Sequence, residues 1–242
     1  MLIPYIGEKS KLKNFITPYI PTDISTYVEP FGGVMGVFFS LNFSKLKDVI
    51  FVYNDINHLN YNLFNQLRYN SEEIIDLIKS TNVDKELYDY SLRIINTEKD
   101  SKKLALHWLI ILTCSSPKEI GKNSWVGDME FEVFKLKWKA YQYLVDKIDD
   151  IYCLDYKNVI EKYDSDSAFF YVDPPYMGKE KYYINHNFNK ESHYDLARVL
   201  NKIKGRFILS YYYFDGIEEL YPNCKFESKK TIMGTEWLIM NY

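Results

Sequence analysis

The segment Asp173-Pro174-Pro175-Tyr176 combines a carboxylate, a stiff backbone and an aromatic ring. Each proline fixes φ and removes an N–H donor, so the backbone there offers only acceptors. The Asp173 carboxylate and the Pro174 carbonyl can accept from both N–H bonds of a planar amino group, and the Tyr176 ring can stack on the attached heterocycle. This pattern favours a heterocyclic amine as substrate. Asp-Pro-Pro is also an ordinary way for a chain to leave a strand, so the segment alone leaves both interpretations open.

A glycine turn, Pro30-Phe31-Gly32-Gly33, follows one predicted strand and precedes a predicted helix. Strand, glycine turn and helix form the arrangement by which a backbone approaches a cofactor closely. The next predicted strand leads to Asp55, roughly 20 residues after the turn, where an acidic residue usually accepts from ribose hydroxyls. The glycines at 32, 33 and 36 do not fit the G-x-G-x-x-G spacing of a dinucleotide site. We therefore expect a nucleoside cofactor without a pyrophosphate.

Lys9 follows another glycine, Gly7, at the start of a predicted helix. A lysine beside a helix N-terminus forms an anion site that suits a carboxylate. Taken alone, however, a lysine on an amphipathic helix is more often simply solvated.

The charge balance does not indicate a strongly basic nucleic-acid binder. The formal net charge is −3, although a whole-chain balance conceals local patches. The three cysteines are far apart and lack metal-ligand spacing, so free thiols in a reducing compartment are expected. The four histidines do not cluster either, and no metal is expected.

No segment of the sequence indicates membrane insertion or secretion. The longest apolar stretch, Leu104–Leu112, is too short to span a bilayer, and the N-terminus lacks the apolar core of a signal peptide. We expect a cytoplasmic protein, of a bacterial cell or of the host cell of a phage, without membrane partners.

Hydrophobic periodicity predicts an alternation of strands and helices. The predicted strands are Ser25–Glu29, Val49–Tyr53, Ile151–Leu154, Ala168–Val172, Arg206–Ser210 and Glu236–Asn241, with a weaker one near Lys225–Met233. The helical patterns are Lys9–Tyr19, Met35–Phe43, Asn57–Tyr69, Ser71–Ser80, Lys85–Asn96, Ser101–Thr113, Glu130–Ile148 and Lys190–Ile203. This order predicts an α/β fold, with a mostly parallel sheet and helices on both faces.

The alternation is interrupted by a nearly all-helical block, residues 57–150, which contains the turn-rich stretch Cys114–Ser124. We interpret this block as a helical insertion after the second strand. Residues 1–56 and 151–242 then form the domain that carries the chemistry.

The order of several segments resembles the D12 class of adenine-N6 DNA methyltransferases, the Dam-like group. The similar segments are Tyr5–Leu12, Glu29–Phe39, Asn54–Asn57, Leu154–Tyr156 and Phe170–Tyr176, together with the tail segments Arg206–Ser210 and Glu236–Tyr242. The resemblance covers both ends of the chain and fails mainly in the insertion. It implies a Rossmann-like S-adenosylmethionine-dependent methyltransferase sheet with an inserted helical lobe for target recognition.

The resemblance also implies which residues hold S-adenosylmethionine. These are Tyr5, Lys9, Pro30, Phe31, Gly32, Gly33, Asp55, Ile56, Asp155, Tyr156 and Asp173. Tyr5 and Lys9 would hold the carboxylate of the cofactor, and the glycine turn would lie under its methionine part. Asp55 would accept from the ribose hydroxyls.

The remaining assignments concern two adenines, one in the cofactor and one in the substrate. Ile56 would pack on the cofactor adenine, whose amino group would donate to Asp155, with Tyr156 beside it. The target N6 amino group would lie between Asp173 and the Pro174 carbonyl, and Tyr176 would stack on the base. A base inside duplex DNA cannot reach such a pocket, so the adenine must be flipped out.

Contacts to DNA are predicted in two loops. Lys118, Lys122 and Asn123 in the insertion are candidates for groove contacts, and Lys179 and Lys181 for phosphate contacts. The alternative for both sets is ordinary solvated surface.

Two positions depart from the family pattern. Met35 stands where the family usually has a small residue, so a narrowed pocket and a side chain directed into the sheet are both open. Thr113–Pro117 stands where many relatives carry a Phe-Asn-Gly patch. The DNA sequence that this chain recognises therefore cannot be inferred from theirs.

Other functions remain as alternatives at this point. They are methylation of another amino nitrogen, such as that of RNA adenine, cytosine N4 or a protein side chain, a catalytically silent DNA-binding subunit, and a dehydrogenase. Asp173 favours adenine, because cytosine and glutamine enzymes usually begin the segment with Ser or Asn. The sequence leaves the oligomeric state and the biological role open.

Overall fold

A computed structural model describes residues 3, 9, 12–116, 119, 120, 122–179, 188–231 and 234–242. The strands of these residues are β1 (Thr26–Glu29), β2 (Ile50–Asn54), β3 (Asp150–Tyr152), β4 (Ala168–Val172), β5 (Arg206–Tyr212), β6 (Lys225–Thr231) and β7 (Gly234–Met240). They form one sheet in the order β3-β2-β1-β4-β5-β7-β6. The first five strands of that order are parallel, and β7 runs antiparallel to both of its neighbours. This mostly parallel sheet confirms the predicted α/β, Rossmann-like fold.

The α-helices of the described residues surround this sheet. They are α1 (Lys13–Ile16), α2 (His58–Tyr69), α3 (Ser71–Ser80), α4 (Lys85–Ile94), α5 (Ser101–Cys114), α6 (Met129–Val145), α7 (Tyr156–Tyr163), α8 (Lys190–Leu200) and α9 (Ile217–Leu220). Helices α2 to α6 follow β2 along the chain, as predicted for the helical block. No described helix is long and apolar enough to cross a membrane.

The sheet separates two hydrophobic clusters, because successive strand side chains point to opposite faces. Tyr27 of β1 packs in the cluster that includes helices α2 to α6, whereas its neighbour Val28 packs with α7, α8 and α9. One core is therefore shared by the helical block and one face of the sheet. Strand β4 is buried along its whole length, as expected for a parallel strand that is covered on both faces.

The predicted α-helix over Met35–Phe43 is wrong. The chain makes turns there, followed by short 3-10 helices at Phe38–Ser40 and Phe43–Lys45. Met35 has a φ of 57°, which a right-handed helix does not allow. The Phe38 N–H donates to the Glu29 carboxylate at 3.0 Å, so it is not available to a helix.

The helix predicted over Lys9–Tyr19 is much shorter in the structure. Helix α1 has four residues and continues as a 3-10 turn at Thr17–Tyr19. Lys9 lies before it and is not in its first turn, and residues 10 and 11 lie outside the described part of the chain. Pro18 contributes to this ending, because it has no N–H to continue the helix.

Two helices were not predicted, α7 and the single turn α9. The start of α7 is fixed by Asp155, whose carboxylate accepts from the Lys157 N–H at 2.9 Å. Its buried residues are Tyr156, Val159 and Ile160, a spacing that is typical of one helix face. The three cysteines are free thiols, as predicted.

Candidate active site

The carboxyl ends of the parallel strands bring the predicted segments together at one edge of the sheet. Strand β1 pairs with β2 on one side and with β4 on the other. The segments that follow these strands begin at Pro30, Asp55 and Asp173. Ligands of open α/β sheets bind at this edge, next to the point where the strand order reverses.

Asn54, the last residue of β2, fastens its own segment to the segments that contain Pro30 and Leu154. Its side-chain amide donates to the carbonyls of Pro30 and Leu154 at 2.8 Å and 3.0 Å, and its Oδ1 accepts from the Leu154 N–H at 2.9 Å. Asn54 is fully buried. The sequence analysis gave it no role of its own, although a polar residue that ends an apolar strand was visible.

The glycine turn requires glycine at two successive positions. A Cβ on Gly32 would lie 2.3 Å from the Tyr53 ring. Gly33 has a φ of 51°, in the left-handed region that favours glycine. The Tyr53 hydroxyl donates to the Gly33 carbonyl at 3.0 Å, and the Gly33 N–H donates to Asp55 Oδ2 at 2.7 Å. The turn and Asp55 are therefore one connected unit.

The Asp55 carboxylate is oriented by further donors. Its Oδ1 accepts from the Asn57 N–H at 2.7 Å, and its Oδ2 also accepts from the Asn60 side chain at 3.3 Å. These donors hold in one orientation the carboxylate that is predicted to contact the ribose hydroxyls. Ile56, which follows, keeps an exposed side chain at 41%, as a residue that packs on a ligand must before the ligand binds.

Asp155 and Tyr156 lie beside the glycine turn. Asp155 is exposed and caps α7. The buried Tyr156 ring stacks on Phe31, with centroids 5.0 Å apart and an interplanar angle of 29°. Phe188 packs edge-on against Phe31 at 5.6 Å, which completes an aromatic group. The Tyr156 hydroxyl is buried without a hydrogen bond to the described residues, and burial raises its pKa.

Asp173 is a buried carboxylate with a cation beside it. Its Oδ1 lies 3.0 Å from the Lys9 Nζ, and only 18% of the Asp173 side chain is exposed. Lys9 also lies over the Tyr176 ring, 4.7 Å from its centroid. Lys9 and Asp173 therefore form an ion pair at hydrogen-bonding distance. Burial raises the pKa of Asp173 to about 6, which the Lys9 charge opposes and the Glu236 charge reinforces.

Glu236 of β7 is a member of this cluster that the sequence analysis missed. Its Oε1 accepts from the Ser210 hydroxyl at 2.6 Å and from the Tyr176 hydroxyl, and it lies 3.6 Å from the Lys9 Nζ. The side chain is 4% exposed. The sequence feature that could have identified it is a single acidic residue in the otherwise apolar segment Glu236–Met240.

Glu29, at the end of β1, was missed as well. It is buried, and its Oε1 accepts from the Tyr27 hydroxyl at 2.7 Å as well as from Phe38. Burial raises the pKa of Glu29 to about 8, and the nearby Asp173 charge adds to the effect.

The other predicted residues are placed as follows. Tyr5, Lys118 and Lys181 lie outside the described residues. Lys122, Asn123 and Lys179 are exposed. Met35 is 1% exposed and packs in the core shared with the helical block, so its side chain is directed away from solvent.

Among the residues that the structure describes, no group of three or more His, Cys, Asp or Glu side chains is arranged to hold a metal ion. His107 Nδ1 is hydrogen-bonded to Ser91 at 2.8 Å, and His193 is hydrogen-bonded to Tyr211. His186 lies outside the described part of the chain.

Comparison with known proteins finds a family and a relative that are similar to this chain. The sequence pattern of the D12 class of N6 adenine-specific DNA methyltransferases matches residues 5–235. The Type II methyltransferase M.CviBI of Paramecium bursaria Chlorella virus NC1A is 29% identical over 230 residues, which cover 89% of this chain and 83% of that protein.

Proposed function

The chain belongs to the D12 class of N6 adenine-specific DNA methyltransferases, and we propose that it methylates a flipped adenine, held at Asp173, with S-adenosylmethionine as the methyl donor. DNA adenine methylation itself follows from the family. The cofactor, the roles of the residues and the flipping of the base are the proposal.

The observation that carries the proposal is the largely buried Asp173 carboxylate directly after β4, which the Lys9 ammonium holds at 3.0 Å from its Oδ1. A carboxylate has about four acceptor positions, so one that is held in place by a cation can also accept from an amino group. The N6 amino group of adenine brings two N–H donors, one for Asp173 and one for the Pro174 carbonyl. Accepting both bonds draws the nitrogen toward tetrahedral geometry and localises the lone pair that attacks the methyl group.

The surroundings of Asp173 suit the charge that develops during methyl transfer. The target nitrogen becomes positively charged as the new bond forms. The Lys9 ammonium already lies beside the Asp173 carboxylate and over the Tyr176 ring, so both groups stabilise a cation at this place. Once the methylated nitrogen is cationic, it loses one proton, and the Asp173 carboxylate is the base next to it.

The residues around the glycine turn fit S-adenosylmethionine. When bound, this cofactor supplies an electrophilic methyl group on a sulfonium. The Asp55 carboxylate, which is assigned to the ribose, is fixed by the Gly33 N–H, so the glycine turn lies directly beside it for the methionine part. The exposed Ile56 side chain and the Phe31–Tyr156 stack suit its adenine. The cofactor carboxylate is assigned to the Lys9 ammonium, which also contacts Asp173 and Glu236.

The burial of Asp173 supports base flipping, because an adenine that is stacked in a duplex cannot bring its N6 to a side chain of which only 18% is exposed.

The similar protein M.CviBI is named a Type II methyltransferase. We propose the same kind of activity here, methylation of adenine within a defined short sequence, as in a restriction-modification system.

The test is an Asp173→Ala variant, assayed for N6-methyladenine in DNA and for cofactor affinity by calorimetry. Methyl transfer should be abolished, whereas the affinity for S-adenosylmethionine should stay within about tenfold of the wild type, because the lost contacts act mainly in the transition state. Asp166→Ala is the matched control, since Asp166 is exposed and precedes the same strand. A fully active Asp173→Ala enzyme would refute the role of Asp173, and binding of NAD alone would refute the cofactor.

A further inference from the structure

Strand β7 contributes the acidic side chain of Glu236 to the site. Glu236 lies outside the segments that hold the proposed cofactor and substrate residues. Within the sheet, β5 lies between β4, which leads to Asp173, and β7, which carries Glu236. Glu236 is paired in register with Tyr212 of β5. The Glu236 side chain therefore reaches the catalytic edge because β7 pairs with β5 in the sheet, and not because Glu236 is close to Asp173 in the sequence.

We propose that Glu236 is a positioning residue for methyl transfer, which fixes the Tyr176 ring through its hydroxyl and holds the Lys9 ammonium between two carboxylates. The inference rests on the proposed roles of Asp173 and Tyr176. It adds a residue that need not touch the substrate but orients Tyr176, which is assigned to the base, and Lys9, which is assigned to the cofactor carboxylate.

The first part of the argument is the anchoring of Tyr176. Its hydroxyl donates to Glu236 Oε1, which also accepts from the Ser210 hydroxyl at 2.6 Å. The ring is flanked by Tyr211 at 5.1 Å and Tyr212 at 4.6 Å. A ring that contacts two neighbouring rings and is bonded at its hydroxyl is held in one orientation, which a platform for a stacked base requires.

The second part is the distribution of charge. Asp173 and Glu236 are both buried, and Lys9 Nζ lies 3.0 Å from one and 3.6 Å from the other. A buried carboxylate needs such a partner, because the loss of solvation otherwise destabilises the charged form. Glu236 thus competes with Asp173 for the same cation. The competition keeps the Lys9 ammonium from neutralising Asp173 alone, so the Asp173 carboxylate remains a strong acceptor for the amino group.

The competition between Glu236 and Asp173 for Lys9 has a measurable consequence that a purely structural role of Glu236 would not have. The titratable groups that face Asp173 are Lys9, Glu29, Tyr171, Tyr176, Tyr212 and Glu236. The tyrosines stay neutral, since burial raises their pKa values. Removing the charge of Glu236 should therefore lower the pKa of Asp173.

The test is Glu236→Gln, because glutamine removes the charge and keeps one acceptor oxygen for both hydroxyls, while its NH2 group replaces the second oxygen. We expect kcat to fall roughly tenfold or more at saturating cofactor, with the KM for S-adenosylmethionine nearly unchanged. The acid limb of the pH profile should move to lower pH. Glu227→Gln, an exposed acid on β6 of the same hairpin, should change neither quantity.

A second measurement needs no turnover, so it separates this inference from the proposed function. Carbon-13 NMR of aspartate-labelled protein follows the Asp173 carboxyl, which Asp173→Asn identifies, and its titration should move to lower pH in Glu236→Gln. An unchanged titration together with an unchanged kcat in a folded variant would overturn the inference. A wild-type protein that methylates no adenine would instead contradict the proposed function, while the titration would still decide the role of Glu236.

Discussion

At the scale of single residues, the chemistry depends on a carboxylate that must be ionised although it is buried. Burial raises the pKa of Asp173 to about 6, and the Lys9 charge is the strongest influence in the opposite direction. Only the ionised form offers its full acceptor capacity to an amino group. Activity should therefore be complete above this pKa and decline as the pH falls through it.

The first prediction concerns Lys9→Met. Without the ammonium, the pKa of Asp173 should rise, so the acid limb of kcat, measured between pH 5 and 9 at saturating cofactor, should move to higher pH. Lys13→Met is the control, because Lys13 is exposed and begins α1. An acid limb at the same pH in Lys9→Met and the wild type would show that another group governs it.

At the scale of secondary-structure elements, local sequence patterns predicted the strands and helices whose bounds depend on local interactions. Ala168–Val172 and Ser71–Ser80 have the predicted bounds, because continuous apolar or periodic segments are bounded by clear turn residues. The segment after Gly33 failed, because a positive φ at Met35 and the hydrogen bond to Glu29 override its helical pattern. Helix α7 was missed although Asp155 is a good N-cap, since that residue had been interpreted only as a cofactor ligand.

The site was predictable where its residues end strands. Asp55 and Asp173 stand directly after the buried strands β2 and β4, and parallel strands place such residues at one edge. Glu236 and Asn54 were not predictable as partners of these residues. Their roles arise from pairing between distant segments, such as Tyr212 with Glu236, which the local sequence does not specify.

The second prediction concerns the clamp that Asn54 forms between three segments. Asn54→Ala removes its buried hydrogen bonds to Pro30 and Leu154 and leaves their backbone groups without partners. Urea unfolding should show a loss of about 2–4 kcal/mol, and calorimetry a lower affinity for S-adenosylmethionine. Asn201→Ala, which removes one exposed bond to Leu220, should cost less than about 1 kcal/mol. Equal losses in both variants would contradict the clamp.

At the scale of the whole molecule, catalysis and target recognition are predicted to occupy different parts of the chain. The turn of the helical block that carries the candidate recognition residues Lys118, Lys122 and Asn123 is held by hydrogen bonds at both of its described ends. Ser115 and Trp125 form a β-bridge, and the buried Tyr88 hydroxyl is hydrogen-bonded to Ser115 and donates to the Lys122 carbonyl, both at 2.8 Å. Lys122 and Asn123 are exposed on this support. A rigid support with exposed polar side chains is suited to contacts with a groove.

The last prediction is that the Lys118→Ala, Lys122→Ala double variant separates positioning from base recognition. If these lysines contact phosphates, affinity should fall on every DNA sequence, and its dependence on salt should become shallower. If one contacts a base edge, discrimination at one position of the site should relax by roughly 1–3 kcal/mol. The control is Lys202→Ala with Lys204→Ala, because these residues precede β5 at the opposite edge of the sheet and remove the same charge. If affinity, salt dependence and site preference all match those of the control, the turn is ordinary surface, and the recognition element must be sought first in the loop after Tyr176.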